Sequence, residues 1–182
     1  MSRQPLLFSP GLLSTSLTVK QSMLKDMGSR DLEFMNAVKD IRNGLLQLAQ
    51  VSKEDGYECV IVQGSGTFAV ESVVSSVVGD KDKLLILANG AYGERIVKMA
   101  GIHRLNHEVL RFDEDTTVTP GATEAFLKSH PDITHVACIH SETTTGLFNP
   151  IATIGMVCKK YGKAFIVDAM SSFGGVTMDM KA

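Results

Sequence analysis

From Cys59 to Asp168, short apolar runs alternate with longer stretches of helical character, and this alternation restricts the possible folds more than any other feature. The runs Cys59 to Val62, Leu84 to Leu87, His107 to Phe112, His135 to Ile139 and Ala164 to Val167 each have the length and composition of a buried strand. Helical stretches are expected between them over 67–78, 91–100, 120–129 and 151–161. Strands separated by helices of this length make βαβ crossovers rather than hairpins. The expected fold is therefore α/β, a mostly parallel sheet with helices on both faces.

The chain ahead of this alternation reads differently. Residues 1–17 read as an irregular arm with a turn at Ser9-Pro10-Gly11. Two helices are expected next, over 18–27 and 31–49, separated at Gly28 and Ser29. In the second, Met35, Val38, Ile41, Leu45 and Leu48 recur at helical spacing and predict a packing stripe, with Asp31 as N-cap. Residues 18–182 then form one domain, since no repeat, low-complexity tract or linker divides them. Met178 to Ala182 supply nothing to cover the last strand, so the chain reads as a fragment, incomplete at its C-terminal end.

With 182 residues, 44% hydrophobic and 21% charged, the chain has the composition of a globular domain with a sizeable core. A net charge of −2 offers no basic footprint for nucleic acid, and no apolar run reaches membrane-spanning length. Cys59, Cys138 and Cys158 are odd in number and lack metal-ligand spacing, so free thiols, a cytoplasmic location and no metal site are expected.

The strand ends carry the chemistry. Gln63-Gly64-Ser65-Gly66-Thr67 runs into a helix, and small residues there present amides and the positive dipole end to an anion such as phosphate. The same residues also suit a tight turn capped by Ser65 or Thr67. In Asn89-Gly90-Ala91-Tyr92-Gly93, flanking glycines would clear space for Tyr92 to lie over a flat ligand. His140 to Gly146 packs a histidine, a serine, a glutamate and three threonines into one loop. Asp168 closes the last strand, where a carboxylate needs a cationic or hydrogen-bonding partner unless it caps the next turn. A ligand with a phosphate, a flat ring and a basic ring nitrogen would engage all four loops. Pyridoxal phosphate is such a molecule, with Asp168 keeping its ring nitrogen protonated. A serine hydrolase using His140 and Asp168 lacks a G-x-S-x-G elbow, and a nicotinamide-binding domain lacks its glycine fingerprint.

The stretches LLFSPGLLSTSLTVK, LKDMGSRDLEF, VIVQGSGTFAVESVV, NGAYGERIVKMAG, HSETTTGLFNPI and YGKAFIVDAMSSFGG cover most of the chain. Together they resemble the class V branch of fold type I pyridoxal-phosphate aminotransferases, within it the family of 2-aminoethylphosphonate–pyruvate transaminases. That resemblance implies a large cofactor-binding domain, a homodimer, and transfer of an amino group from 2-aminoethylphosphonate to pyruvate, giving phosphonoacetaldehyde and alanine. It implies a phosphate cradle at Ser65, Gly66 and Thr67, Tyr92 stacked on the ring, Thr143 near the ring hydroxyl and Asp168 on the ring nitrogen. It also places the Ser9 to Gly11 turn at the site entrance, where Leu12 stands in place of a more usual proline. The family's Schiff-base lysine lies one strand beyond the aspartate, a position this chain lacks, so catalytic turnover by these residues alone is not expected. Lys159, Lys160 and Lys163 sit at the wrong end of the Asp168 strand to replace it. The alternatives are a serine– or alanine–glyoxylate aminotransferase, which resembles the chain in the same loops, and a catalytically dead short product.

Overall fold

The computed structural model describes Leu6, Leu7 and residues 13–181, so the expected turn at Ser9 to Gly11, Leu12 and most of the arm lie outside the described residues. The chain divides into two compact units, one comprising the residues up to Ile61 with Gly174–Lys181, the other Val62–Phe173.

In the first unit, α1 (Leu17–Ser22) is shorter than expected. None of its residues is buried, and propensity alone seldom holds an isolated short helix. Helix α2 (Leu32–Leu48) forms as predicted, with Asp31 at its N-cap. The Asp31 carboxylate accepts no helix amide, however; it turns back to the Gly28 N–H at 2.8 Å. The expected stripe is not a core: Met35, Ile41 and Leu48 are exposed, and Leu46 instead joins Ala49 and Val51 in a small cluster with Tyr57 and Cys59. The segment 174–181 is tied to this unit by the Tyr57 hydroxyl donating to the Met180 carbonyl and by the Met180 N–H donating to the Ala49 carbonyl.

The second unit carries the parallel sheet. Strands β1 (Leu84–Ala88), β2 (His107–Arg111), β3 (His135–Ile139) and β6 (Ala164–Asp168) lie in the order β2-β1-β3-β6, all parallel. Helices α3 (Gly66–Val77) and α4 (Ala91–Ile102) cover one face, and α5 (Pro120–Ser129) and α6 (Ile151–Lys160) the other. Side-chain alternation divides the core accordingly. Leu85, Leu87, Val136 and Cys138 meet Leu127, Ile154 and Cys158, while Leu84, Ile86, Ala137 and Ile139 meet Val74, Ile96 and Ala100. Burial on both faces explains why the strands read as continuous apolar runs rather than alternating ones.

Two expectations need correction here. Cys59 to Val62 is not a strand: no described segment pairs with it, and Val60, Ile61 and Val62 are exposed. An apolar run has strand composition whether or not a ladder partner is present, and without one the extended backbone gains no inter-strand hydrogen bonds. The stretch from His140 to Gly146, read as one loop, instead contributes to a small antiparallel ribbon of β4 (Ser141–Glu142) with β5 (Leu147–Phe148). Among the described residues, no helix is long and apolar enough to cross a membrane.

Burial pushes the Cys138 and Cys158 thiols up to about 12, so both stay protonated and shielded in the folded protein. Iodoacetamide at about pH 8 is expected to modify the half-buried Cys59 and spare the other two, read by peptide mass spectrometry. Labelling of Cys138 as fast as Cys59 would contradict the packing described.

Candidate active site

Because the sheet is parallel, the carboxyl ends of β1, β3 and β6 open on one edge, and each of the loops singled out above leaves from there or enters a helix beside it. At the start of α3, the Ser65 hydroxyl accepts from the Phe68 N–H at 3.2 Å, so the turn reading of this residue holds. That cap leaves the first-turn amides of Gly66 and Thr67 ahead of any intrahelical acceptor. Gly64 needs its φ of +138°, and a Cβ there would fall 2.7 Å from the Phe68 ring. A Cβ on Gly66 would meet the Met170 side chain at 2.9 Å.

Thr67 is joined to Tyr92 through a residue the sequence reading left without a role. Arg95 Nη1 donates to Thr67 Oγ1 at 2.9 Å, while the Arg95 guanidinium carbon lies 4.5 Å from the centre of the Tyr92 ring. One cation thus links the start of α3 to the aromatic ring on α4.

The glycines around Tyr92 serve a different neighbour from the one expected. Glu142 is fully buried, and its carboxylate accepts from the Gly93 N–H at 2.8 Å and the Tyr92 N–H at 3.2 Å. A Cβ on Gly90 would lie 2.7 Å from Glu142 Cδ, and one on Gly93 would lie 2.9 Å from Ala88 Cα. These glycines therefore admit a carboxylate and a strand backbone, whereas the sequence had suggested that they clear room for a ligand. Gly90, the N-cap of α4, offers no side chain, so Glu142 caps the helix from across the fold with a charge that suits the dipole.

Beneath these loops lies a pair of buried amides. Asn89 Nδ2 donates to Asn149 Oδ1 at 2.9 Å and Asn149 Nδ2 donates to Asn89 Oδ1 at 3.0 Å. Asn149 also accepts from the Val118 N–H and donates to the Ile139 carbonyl, and Asn89 donates to the Thr116 carbonyl.

Asp168 ends β6 with one carboxylate oxygen accepting from the Met170 N–H at 3.0 Å, a local turn bond. No described donor meets the second oxygen. Asp168 and Gly66 line one cleft of about 550 Å³ between α3 and β6, walled largely by Val70, Val73, Phe165 and Val167. His140 does not bond the Asp168 carboxylate; its backbone N–H donates to the Asp168 carbonyl, and its Nδ1 lies 2.9 Å from Ser172 Oγ. Its ring meets Phe148 edge-on, and burial holds its pKa below the ordinary value. Thr143, half-buried, begins the turn that follows Glu142. Lys160 and Lys163 lie at the amino end of β6, paired with Glu124 and the Pro131 carbonyl.

The structure thus places Gly66 with Asp168 in one cleft, links Thr67 to Tyr92, and sets Thr143 next to the residue that holds the Tyr92 amide. Arg95, Glu142 and the Asn89–Asn149 pair are additions to the sequence reading. In the sequence Glu142 stands out only as one polar residue of the His140–Gly146 loop, while the glycines at 90 and 93 announce a close approach without saying by what.

Comparison with known proteins identifies a family and several relatives. The family described as Aminotransferase class-V matches residues 15–182. A 2-aminoethylphosphonate–pyruvate transaminase from Lysinibacillus sphaericus is 52% identical over 174 residues, covering 96% of this chain and 47% of that relative. The chain spans about half the length of the curated relatives it matches. Among solved structures, pyridoxamine–pyruvate aminotransferase from Mesorhizobium loti superposes with a TM-score of 0.88 at 25% identity, over 99% of this chain and 45% of that one. Alanine–glyoxylate aminotransferase from Nostoc sp. gives 0.86 at 25% identity, over 100% of this chain and 49% of that one.

Replacing Asn149 by Ala removes four hydrogen bonds and leaves buried donors and acceptors at positions 89, 118 and 139. A loss of about 3–5 kcal/mol is expected from the denaturant midpoint. His140 has a second consequence. A depressed folded-state pKa means the unfolded chain binds the proton more readily, so His140 contributes no penalty above its ordinary 6.5 and destabilises the fold as pH falls below it. Relative to His140→Gln, the wild-type midpoint should therefore drop between about pH 7 and pH 5; parallel curves would refute this.

Proposed function

The chain belongs to the class-V aminotransferase family, and from that premise we propose that it is the cofactor-binding part of an enzyme that moves the amino group of 2-aminoethylphosphonate to pyruvate. The products are phosphonoacetaldehyde and alanine. The observation that carries this reading is the 52% identity, over nearly the whole chain, to a relative named for that reaction.

The cofactor in this reading is pyridoxal 5′-phosphate, held by residues 18–182 acting as a large domain of the fold type I kind. The donor set suits such a molecule. First-turn amides of α3, with Ser65, Gly66 and Thr67, offer an anion cradle, and Arg95 adds positive charge beside Thr67. The second oxygen of Asp168 meets no described donor and is suited to a protonated ring nitrogen. Tyr92 covers the ring face, and Thr143 hydrogen-bonds near the ring hydroxyl. When bound, the cofactor supplies an electron sink for the substrate carbon. The part played by Asp168 is to keep the nitrogen proton in place, since a neutral ring draws electrons far less. The cradle fixes the phosphate end, and Tyr92 limits tilting of the ring. A homodimer in the cytoplasm, taking a small-molecule amino donor and pyruvate, completes the reading.

Two measurements test it. Pyridoxal 5′-phosphate added to the purified chain is expected to show circular dichroism in its own absorption band, and Asp168→Ala to weaken uptake by about tenfold, the equivalent of one charge-assisted contact. An unperturbed cofactor spectrum would refute the cofactor assignment. For the substrate, a chimera carries these residues in place of the matching half of the Lysinibacillus relative. It is offered 2-aminoethylphosphonate with pyruvate, and serine or alanine with glyoxylate. Faster turnover of the phosphonate supports the proposal; preference for the glyoxylate pair transfers the assignment to an alanine–glyoxylate type of enzyme.

A further inference from the structure

Glu142 occupies a position that the proposed chemistry leaves unused. It is a buried carboxylate reaching from β4 to the first turn of α4, where it takes both the Tyr92 and Gly93 amides. Its main chain acts in the opposite direction. The Glu142 carbonyl accepts from the Gly146 N–H at 2.7 Å and the Thr145 N–H at 3.3 Å, closing the turn that contains Thr143. A single residue therefore fixes the backbone under Tyr92 with its side chain and the backbone around Thr143 with its carbonyl.

We infer that Glu142 is a positioning residue for the cofactor ring, setting Tyr92 and Thr143 at a fixed separation through the two ends of one side chain and backbone unit. The inference rests on the reading of Tyr92 and Thr143 as ring-contacting residues. It does not require Glu142 to touch the cofactor.

Two features set this apart from an ordinary helix cap. The carboxylate reaches the α4 amides from a separate ribbon, 49 residues on from Gly93, so it couples two loops as well as ending a helix. The fold also makes room for it at Gly90, where a side chain would collide with the Glu142 carboxyl group. A carboxylate is needed because both partners are N–H donors. A glutamine could accept one amide with its oxygen, but its NH₂ would then face the other N–H donor.

The test is titration of the chain with pyridoxal 5′-phosphate, read by the circular dichroism induced in the cofactor band at saturation and by the dissociation constant. Glu142→Gln should fold, bind about tenfold more weakly and give a reduced or altered band, the shift expected for one lost charge-assisted hydrogen bond. Combined with Tyr92→Ala, it should add little, because the ring it positions has gone. Gly90→Ala supplies an independent variant, since its added methyl displaces the carboxylate while keeping its charge. It should change the band in the same way, and it decides the matter if Glu142→Gln does not fold. If Glu142→Gln lowers only the melting temperature, leaving affinity and band unchanged while Tyr92→Ala disturbs both, Glu142 is purely structural and the inference falls. If Tyr92→Ala and Asp168→Ala also leave the band unchanged, the cofactor reading itself has failed, and this inference with it.

Discussion

A parallel sheet buried on both faces has an unavoidable difficulty at its carboxyl end, where the strands stop and their last polar groups must still find partners without water. In this chain the reciprocal pair of Asn89 and Asn149 resolves it. Asn89 follows β1, Asn149 follows the β4–β5 ribbon, and between them they satisfy the Ile139 carbonyl, the Thr116 carbonyl and the Val118 N–H. Each amide is 2% exposed or less, so every one of these bonds lies in a low-dielectric interior where an unmade partner is expensive. The loops that carry the proposed chemistry start from this anchored layer, which is why residues distant in sequence keep one arrangement.

Above that layer the candidate site is held by charge. Glu142 neutralises the amino end of α4, and Arg95 spans from Tyr92 to Thr67. One oxygen of Asp168 accepts from the Met170 N–H, and no described donor meets the other. The two interpretations of Asp168, turn former and ligand partner, are therefore compatible, because they use different oxygens.

Much of the fold was legible because burial on both faces writes itself into the sequence as unbroken apolar runs. Leu84 to Leu87 and His135 to Ile139 are such runs, and both are strands. Cys59 to Val62 has the same composition and is not a strand, since a run cannot announce whether a neighbour will complete its ladder. The helical stripe on α2 marked a face correctly but not its burial, because periodicity reports amphipathicity and not what lies opposite. For the site, loop positions and residue types could be read directly, whereas Glu142 depended on a contact across about fifty residues that no local pattern encodes.

The near-collision between a Cβ at position 90 and the carboxyl group of Glu142 also bears on how such a chain can change over time. The two positions are bound to each other's size. A lineage that acquires alanine at 90 faces pressure to shorten residue 142 to aspartate, and one that loses the carboxylate gains freedom at 90 but must find another partner for two amides. Substitutions at the two sites are therefore expected to be correlated. Their joint history would record the contact even in relatives whose structures are unknown.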